Sequence, residues 1–253
     1  MMDSARGTHP VMRVEALNVG WFTTPAAVML RDAPLDEPLR LPVPAYLIET
    51  AEHRILVDTG LHPAAIADPQ AYYGSSPALS VFTLEQQIGL AEQTDLSTLT
   101  MVILTHLHFD HAGGLDLIPQ SVPLVIQRAE WSAAHDAAAI QRNAFLARDY
   151  AGTERPLVLA DGDHDLLGDG SIELLLTPGH TPGHQSVRIG ELVIGGDVAH
   201  FAGGLEDRRF PMFAHDHREQ GRSADRLRDL RDGGATVLPG HDPDVLCPGR
   251  LVG

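Results

Sequence analysis

Cysteine is almost absent. Cys247 is the single thiol in 253 residues, which excludes an intrachain disulfide and any cysteine-rich zinc site. It reads as a small buried residue rather than a nucleophile. Basic residues are scarce, with 18 Lys and Arg against 34 Asp and Glu and a formal net charge of −16. So acidic a surface repels phosphate backbones and anionic lipid, so neither nucleic acid nor membrane is an expected partner. No apolar run approaches the roughly 18 residues that span a bilayer. Residues 1–10 lack the basic start and apolar core of a secretory signal. A cytoplasmic location is therefore the expectation, and the lack of disulfides permits it. No repeat, low-complexity tract or Gly/Ser linker marks a boundary. With 43% hydrophobic and 21% charged residues, the chain has the composition of an ordinary globular protein.

Histidine is plentiful: fourteen, dispersed rather than in one run. The richest stretch is His106-Leu107-His108-Phe109-Asp110-His111-Ala112-Gly113-Gly114, three imidazoles and one carboxylate within six residues, followed by a glycine pair. Imidazole nitrogen and carboxylate oxygen suit a borderline-soft divalent ion such as zinc. An apolar strand (Met101 to Leu104) leads into it.

Around this motif the pattern predicts many short strands with interspersed helices, suited to two packed sheets with helices outside. Residues 21–44 hold five prolines and read as an irregular loop. Ala45–Glu49 and Arg54–Val57 read as a hairpin ending in Asp58-Thr59-Gly60. Thr83–Gln93 reads as a helix capped by Thr83, with Leu84, Ile88 and Ala91 on one face. Further strands are expected at 99–104, 124–126, 172–176, 186–189, 191–194 and 236–238, and helices at 128–150 and 223–231.

Three other segments share one grammar, an apolar strand ending in a tight turn that presents a ligand-type side chain. Leu174 to Gly179 presents His180, Leu192 to Gly196 presents Asp197, and Thr236 to Gly240 presents His241. Together with the first motif this makes five histidines and two aspartates. That exceeds the about four ligands of one zinc and matches two metals sharing a carboxylate.

These segments, with Val57-Asp58-Thr59-Gly60 and Thr177-Pro178-Gly179-His180-Thr181-Pro182-Gly183-His184, resemble the metallo-β-lactamase-fold hydrolases over about residues 43–242. The resemblance implies an α/β (α+β) αββα sandwich, two packed mixed β-sheets flanked by helices. It also implies a single domain over 1–253, with an N-terminal loop to about 44 and a core over about 45–242. Carried over, His106, His108 and His180 resemble the ligands of one metal. Asp110, His111 and His241 resemble those of the second, and Asp197 the bridge. Asp58 resembles the aspartate that holds ligand geometry from behind. His184 is expected to pack or hydrogen-bond rather than bind metal.

Within the fold the nine-residue motif is most similar to the N-acyl-homoserine lactone lactonases. The implied reaction is opening of a lactone ring by a metal-bridging hydroxide, with Asp110 as general acid. The implied cofactors are two divalent ions, zinc first, with cobalt, manganese or iron accepted by the same donors. The implied partners are a small lactone and, for the early loop, a second subunit in a homodimer. One position departs from the family, because His200 stands where a tyrosine touches the substrate carbonyl. It either donates a similar hydrogen bond, as a catalytic residue, or is a bystander. Trp21, Phe22, Met29 and Leu30, with Phe109 and Phe201, either line an acyl groove or are core residues. His215 and His217 read as surface residues. A broad esterase, aryl-lactonase or phosphotriesterase of the same fold remains an alternative, as does a non-catalytic metal-binding protein. Removing His108 or Asp197 is expected to abolish metal occupancy and activity together.

Overall fold

The computed structural model describes residues 10–246 and 248–252; the reading of Cys247 falls outside them. Alternating burial starts the first sheet. In β1 (Arg13–Pro25) Val14, Ala16, Phe22 and Thr24 are buried between more exposed neighbours. The alternation breaks once at 17–20, where the pairing register shifts. Such a slip turns the following side chains to the other face. Val14 and Ala16 accordingly pack in one core cluster, and Val19 and Phe22 in another.

β1 pairs antiparallel with β2 (Pro38–Glu49), and β2 with β3 (Arg54–Val57), the expected hairpin. β4 (Thr83–Glu85) joins the far end of β1. β5 (Met101–Ile103), β6 (Leu124–Gln127) and β7 (Leu157–Ala160) continue in parallel from β3. The second sheet contains β8 (His164–Asp165), β9 (Glu173–Leu176), β10 (Gln185–Ile189), β11 (Leu192–Ile194) and β12 (Thr236–Leu238), in the order β12-β11-β10-β9-β8. β13 (Gly249–Val252) returns to the outside of β1.

The two sheets face each other across one core. Ile48, Ile55, Ile103 and Val125 from the first meet Leu174, Val187 and Ile194 from the second. A second cluster lies on the other face of the first sheet, and a third packs the helix His217–Asp232 onto Val193 through Ala224 and Leu227. Full burial of a leucine contributes about 1.5–3 kcal/mol, so each layer is held mainly by such contacts. The result is the expected αββα sandwich of two mixed sheets. Among the described residues no helix is long and apolar enough to cross a membrane.

Two local expectations are corrected. Residues 21–44 are not one irregular loop, since Trp21–Pro25 and Pro38–Pro44 are paired strand, from Trp21 opposite Pro42 to Pro25 opposite Pro38. Pro38–Pro44 runs beyond the residues of β2 that pair with β3, and proline is tolerated where no neighbour needs its missing N–H. Thr83–Gln93 is not one helix either. Thr83 and Leu84 pair with Thr23 and Phe22, and only Leu90–Gln93 is helical. Cross-strand pairing overrides the apolar spacing, and Ile88, expected inward, is 54% exposed.

One buried acid is not part of the expected chemistry. Asp149 accepts a hydrogen bond from the Tyr73 hydroxyl at 3.2 Å, and its other oxygen is buried without a partner. Burial pushes its carboxyl up to about 8, so it is protonated at pH 7. An acid raised on folding binds more protons in the native state, so stability falls as pH climbs from the unfolded pKa toward the folded one. Asp149→Asn cannot titrate. Relative to the wild type it should therefore gain stability between pH 6 and 8, by roughly 2–3 kcal/mol at about 1.4 kcal/mol per unit. Denaturant melts at pH 6, 7 and 8.5 measure this, and a pH-independent difference would refute it.

Candidate metal centre

Every ligand-type side chain follows the C-terminal end of a strand. β5 runs through Thr105 to His106, His108 and the short helix Phe109–Ala112, which carries Asp110 and His111. In the second sheet β9 leads to His180, β11 to Asp197 in the 3₁₀ turn Gly196–Val198, and β12 to His241. The sheets are stitched together beside the cluster. The Gln185 N–H donates to Thr105 O at 2.9 Å, and its side chain donates to Leu104 O at 2.9 Å.

The side chains converge in two groups around one carboxylate. His106 Nε2 and His180 Nε2 each lie 3.0 Å from His108 Nδ1. Asp197 Oδ2 faces this trio, 3.3 Å from His180 Nε2 and 3.8 Å from His106 Nε2. Asp197 Oδ1 faces the other way, 3.3 Å from His241 Nε2 and 3.5 Å from His111 Nε2. Asp110 Oδ2 closes that second group, 3.4 Å from His241 Nε2 and 3.7 Å from His111 Nε2.

The far side of four of these rings is anchored. His108 Nε2–H donates to Asn143 O at 2.8 Å, and His241 Nδ1–H to Pro42 O at 2.9 Å. His111 Nδ1–H donates to Asp58 Oδ2 at 2.8 Å, and His106 Nδ1 lies 3.1 Å from the Thr105 hydroxyl. Asp58 also accepts the Thr105 N–H at 2.7 Å and its hydroxyl at 2.8 Å. It does so from a left-handed backbone conformation (φ 59°), strain typical of a functional position. A proton on the anchored nitrogen leaves the inward nitrogen with a free lone pair, the arrangement a metal ligand needs. Pro42 pairs with Trp21 of β1 on one side but lies past the part of β2 that pairs with β3, and its carbonyl takes His241.

Electrostatics separate the two groups. Burial pushes His106 and His180 well below the usual histidine range, and His108 below it. Burial acts the same way on His111 and His241, but Asp197 and the neighbouring carboxylates overcome it and raise both. Burial opposes ionisation of Asp197 too, yet His241, His200 and His111 hold it well below the carboxylate range.

The residues fit a pair of divalent cations. His111 Nε2, His241 Nε2 and Asp197 Oδ1 are buried and have no hydrogen-bond partner. Buried polar atoms are nearly always paired, and three such atoms converging on one point are what a cation satisfies. His106, His108 and His180 offer ligand atoms within 4.8 Å of one another, as do Asp110, His111 and His241.

The expected substrate residues divide. Phe22 is fully buried with its ring 5.1 Å from His241, and Phe82 joins it to Phe109 at 5.4 and 5.3 Å. Met29 is buried in the same cluster, and Phe201 and Phe82 pack against it. Trp21 is not brought to the site. It alternates with Phe22 along β1 and so faces the other way, under the Arg40 guanidinium at 4.0 Å. His200 lies at the cluster, 3% exposed, with Nε2 3.0 Å from Asp197 Oδ2. His184 accepts the Asp197 N–H and bonds the Thr177 hydroxyl, both at 3.0 Å, a structural role. His215 is no free surface residue, since its ring bonds the Asn143 side chain at 3.0 Å and its N–H donates to His180 O. His217 bonds Pro211 O. Phe82, Phe145 (5.7 Å from His108), Asn143 and Pro42 were not legible as site residues. Backbone acceptors leave no mark in side-chain identity.

Two packed mixed sheets, with a His/Asp cluster at the strand ends built for two cations, define a metal-dependent protein of the sandwich class. The family model of the metallo-beta-lactamase superfamily matches residues 39–241. The chain belongs to that superfamily. Among curated relatives, the N-acyl homoserine lactonase AttM of Azorhizobium caulinodans is 29% identical over 81% of this chain and 83% of its own. An N-acyl homoserine lactonase of Bacillus thuringiensis is 30% identical over 81% and 82%. A solved N-acyl homoserine lactone hydrolase, with N-hexanoyl-L-homoserine bound at its catalytic metal centre, superposes with a TM-score of 0.80 at 24% identity, over 93% of this chain and 95% of that one. AidC, a dizinc quorum-quenching lactonase, superposes at 0.70 with 18% identity, over 96% and 94%. At these identities the solved structures support the fold.

Proposed function

We propose that this chain is a hydrolase that opens the lactone ring of N-acyl homoserine lactones at a two-metal site. The observation that carries the reading is Asp197, whose two oxygens face two separate ligand groups. His106, His108 and His180 would hold one ion, Asp110, His111 and His241 the other, and Asp197 would serve both. When bound, the ions would supply a water acidified toward neutral pH and an electrophile for the carbonyl. All seven donors are nitrogen or oxygen, so zinc fits first and cobalt, manganese and iron are also accepted.

The chain's own residues account for the remainder. Ring opening adds water, breaks the acyl carbon–oxygen bond and yields a carboxylate and an alcohol. The leaving oxygen needs a proton, and Asp110, 7% exposed and held between His111 and His241, delivers it. His200 Nε2–H donates to Asp197 Oδ2, so in this structure it steadies the shared carboxylate. The buried rings of Phe22 and Phe109 back His241 and keep water out, and the half-buried Phe82 between them is the one open to an apolar acyl chain. The relatives named N-acyl homoserine lactonase support this substrate class.

A substrate panel tests the reading. Zinc-loaded protein should open short- and long-chain acyl-homoserine lactones faster than plain γ-lactones, aryl esters or aryl phosphotriesters. Chelation should abolish turnover and added zinc restore it. No turnover of any lactone would sink the proposal, and preference for the phosphotriester would replace it with the esterase reading.

A further inference from the structure

We infer that Glu130 is the positioning residue that sets the gap between the two loops holding His106, His108 and His180. This rests on the two-metal reading above. Glu130 sits in the short helix Arg128–Ala133, next to β6, and is 0% exposed. Its Oε1 accepts the Leu107 N–H at 3.0 Å, between His106 and His108. Its Oε2 accepts the Gly183 N–H at 2.8 Å, three residues after His180. One carboxylate thus joins a loop of the first sheet to a loop of the second. Across that junction the three imidazole nitrogens of one group meet, each 3.0 Å from His108 Nδ1 or being it.

The contact is closely built. A Cβ at position 183 would lie 2.2 Å from Glu130 N, so only glycine lets the second loop approach this helix. Two amide donors demand two acceptor oxygens. A carboxylate supplies both, whereas glutamine turns an NH₂ toward one of them and leaves that amide facing a donor. Burying a carboxyl there is unfavourable, and burial pushes its pKa up to about 7. The amide hydrogen bonds from Leu107 and Gly183 offset part of that penalty. The other group (Asp110, His111, His241) has no hydrogen bond to Glu130 and depends instead on Asp58 and the Pro42 carbonyl.

The effect should therefore be unequal. Outer groups of this kind change metal affinity by about 10–100-fold. In Glu130→Gln one of the two titrated Co²⁺ equivalents should bind at least about ten-fold more weakly than in wild type, with the other nearly unchanged, read from Co²⁺ absorption and calorimetry. A purely structural role would instead lower the melting temperature of metal-free protein and leave both affinities alike. Two equivalents bound with wild-type affinities overturn the inference. Should Glu130→Gln fail to fold, Glu130→Asp, whose shorter carboxylate spans the two amides poorly, carries the test with the same expected asymmetry. Wild-type protein that binds no metal would overturn the two-metal reading itself, a separate result.

Discussion

Asp197→Asn is expected to purify without its full pair of ions and to lose lactone turnover by about a hundred-fold to several thousand-fold, the equivalent of 3–5 kcal/mol for breaking a buried charge constellation. Five imidazoles, those of His106, His111, His180, His200 and His241, lie within 3.8 Å of its two oxygens. Asparagine keeps the shape, removes the charge and turns an NH₂ toward one group. Rings that now share one anion then face a donor, the His106, His108 and His180 group keeps no anionic ligand, and the other group keeps only Asp110. Metal analysis of the purified variant beside its kcat/KM decides the matter. A variant holding two ions at the wild-type rate would remove Asp197 from the site, and with it the case for a shared carboxylate.

A larger surprise for sequence reasoning is expected at Gly240. A methyl group there would lie 2.1 Å from Asp197 Oδ1 and 3.1 Å from Gly196 O. The backbone cannot retreat freely, because the Gly240 N–H donates to Ala199 O at 3.0 Å and the His241 N–H to His200 O at 2.9 Å. The carboxylate must swing instead, and it has nowhere to go without leaving one ligand group. Gly240→Ala should lower the metal content below two per chain and kcat/KM by at least about a hundred-fold. Stability should fall by only about 1–3 kcal/mol, the usual range for overpacking. Gly203→Ala, with nothing within 4 Å of the added carbon, is the control and should be silent. Equal effects at both positions would show that Gly240 matters only as a generic glycine.

The ligand-bearing segments were readable because each joins an apolar strand to a glycine or proline turn, a local pattern with a local cause. Thr83–Leu84 misled for the same reason. Its spacing is compatible with a helix, but its pairing partners Thr23 and Phe22 lie some sixty residues away in the chain. Residues 21–44 misled because proline signals a loop unless the strand carries no neighbour on that side, a condition no window of sequence contains. Trp21 and Phe22 are adjacent and both aromatic, yet only one reaches the site, and a register shift at 17–20 decides which.

By itself, the sequence picked out the side chains proposed to carry the chemistry: five histidines and two aspartates, each following a strand end and brought together in the structure. It also determined the superfamily and the sandwich of two sheets, since alternation and turn residues act over a few positions. Only the tertiary structure decided that Asp197 turns one oxygen to each group. The same holds for the Asn143 and Pro42 carbonyls that orient the rings, for His200 resting on the shared carboxylate, and for Glu130 spanning two loops. Those facts depend on backbone groups and on residues far apart in the chain, and their distances exist only once the two sheets have packed.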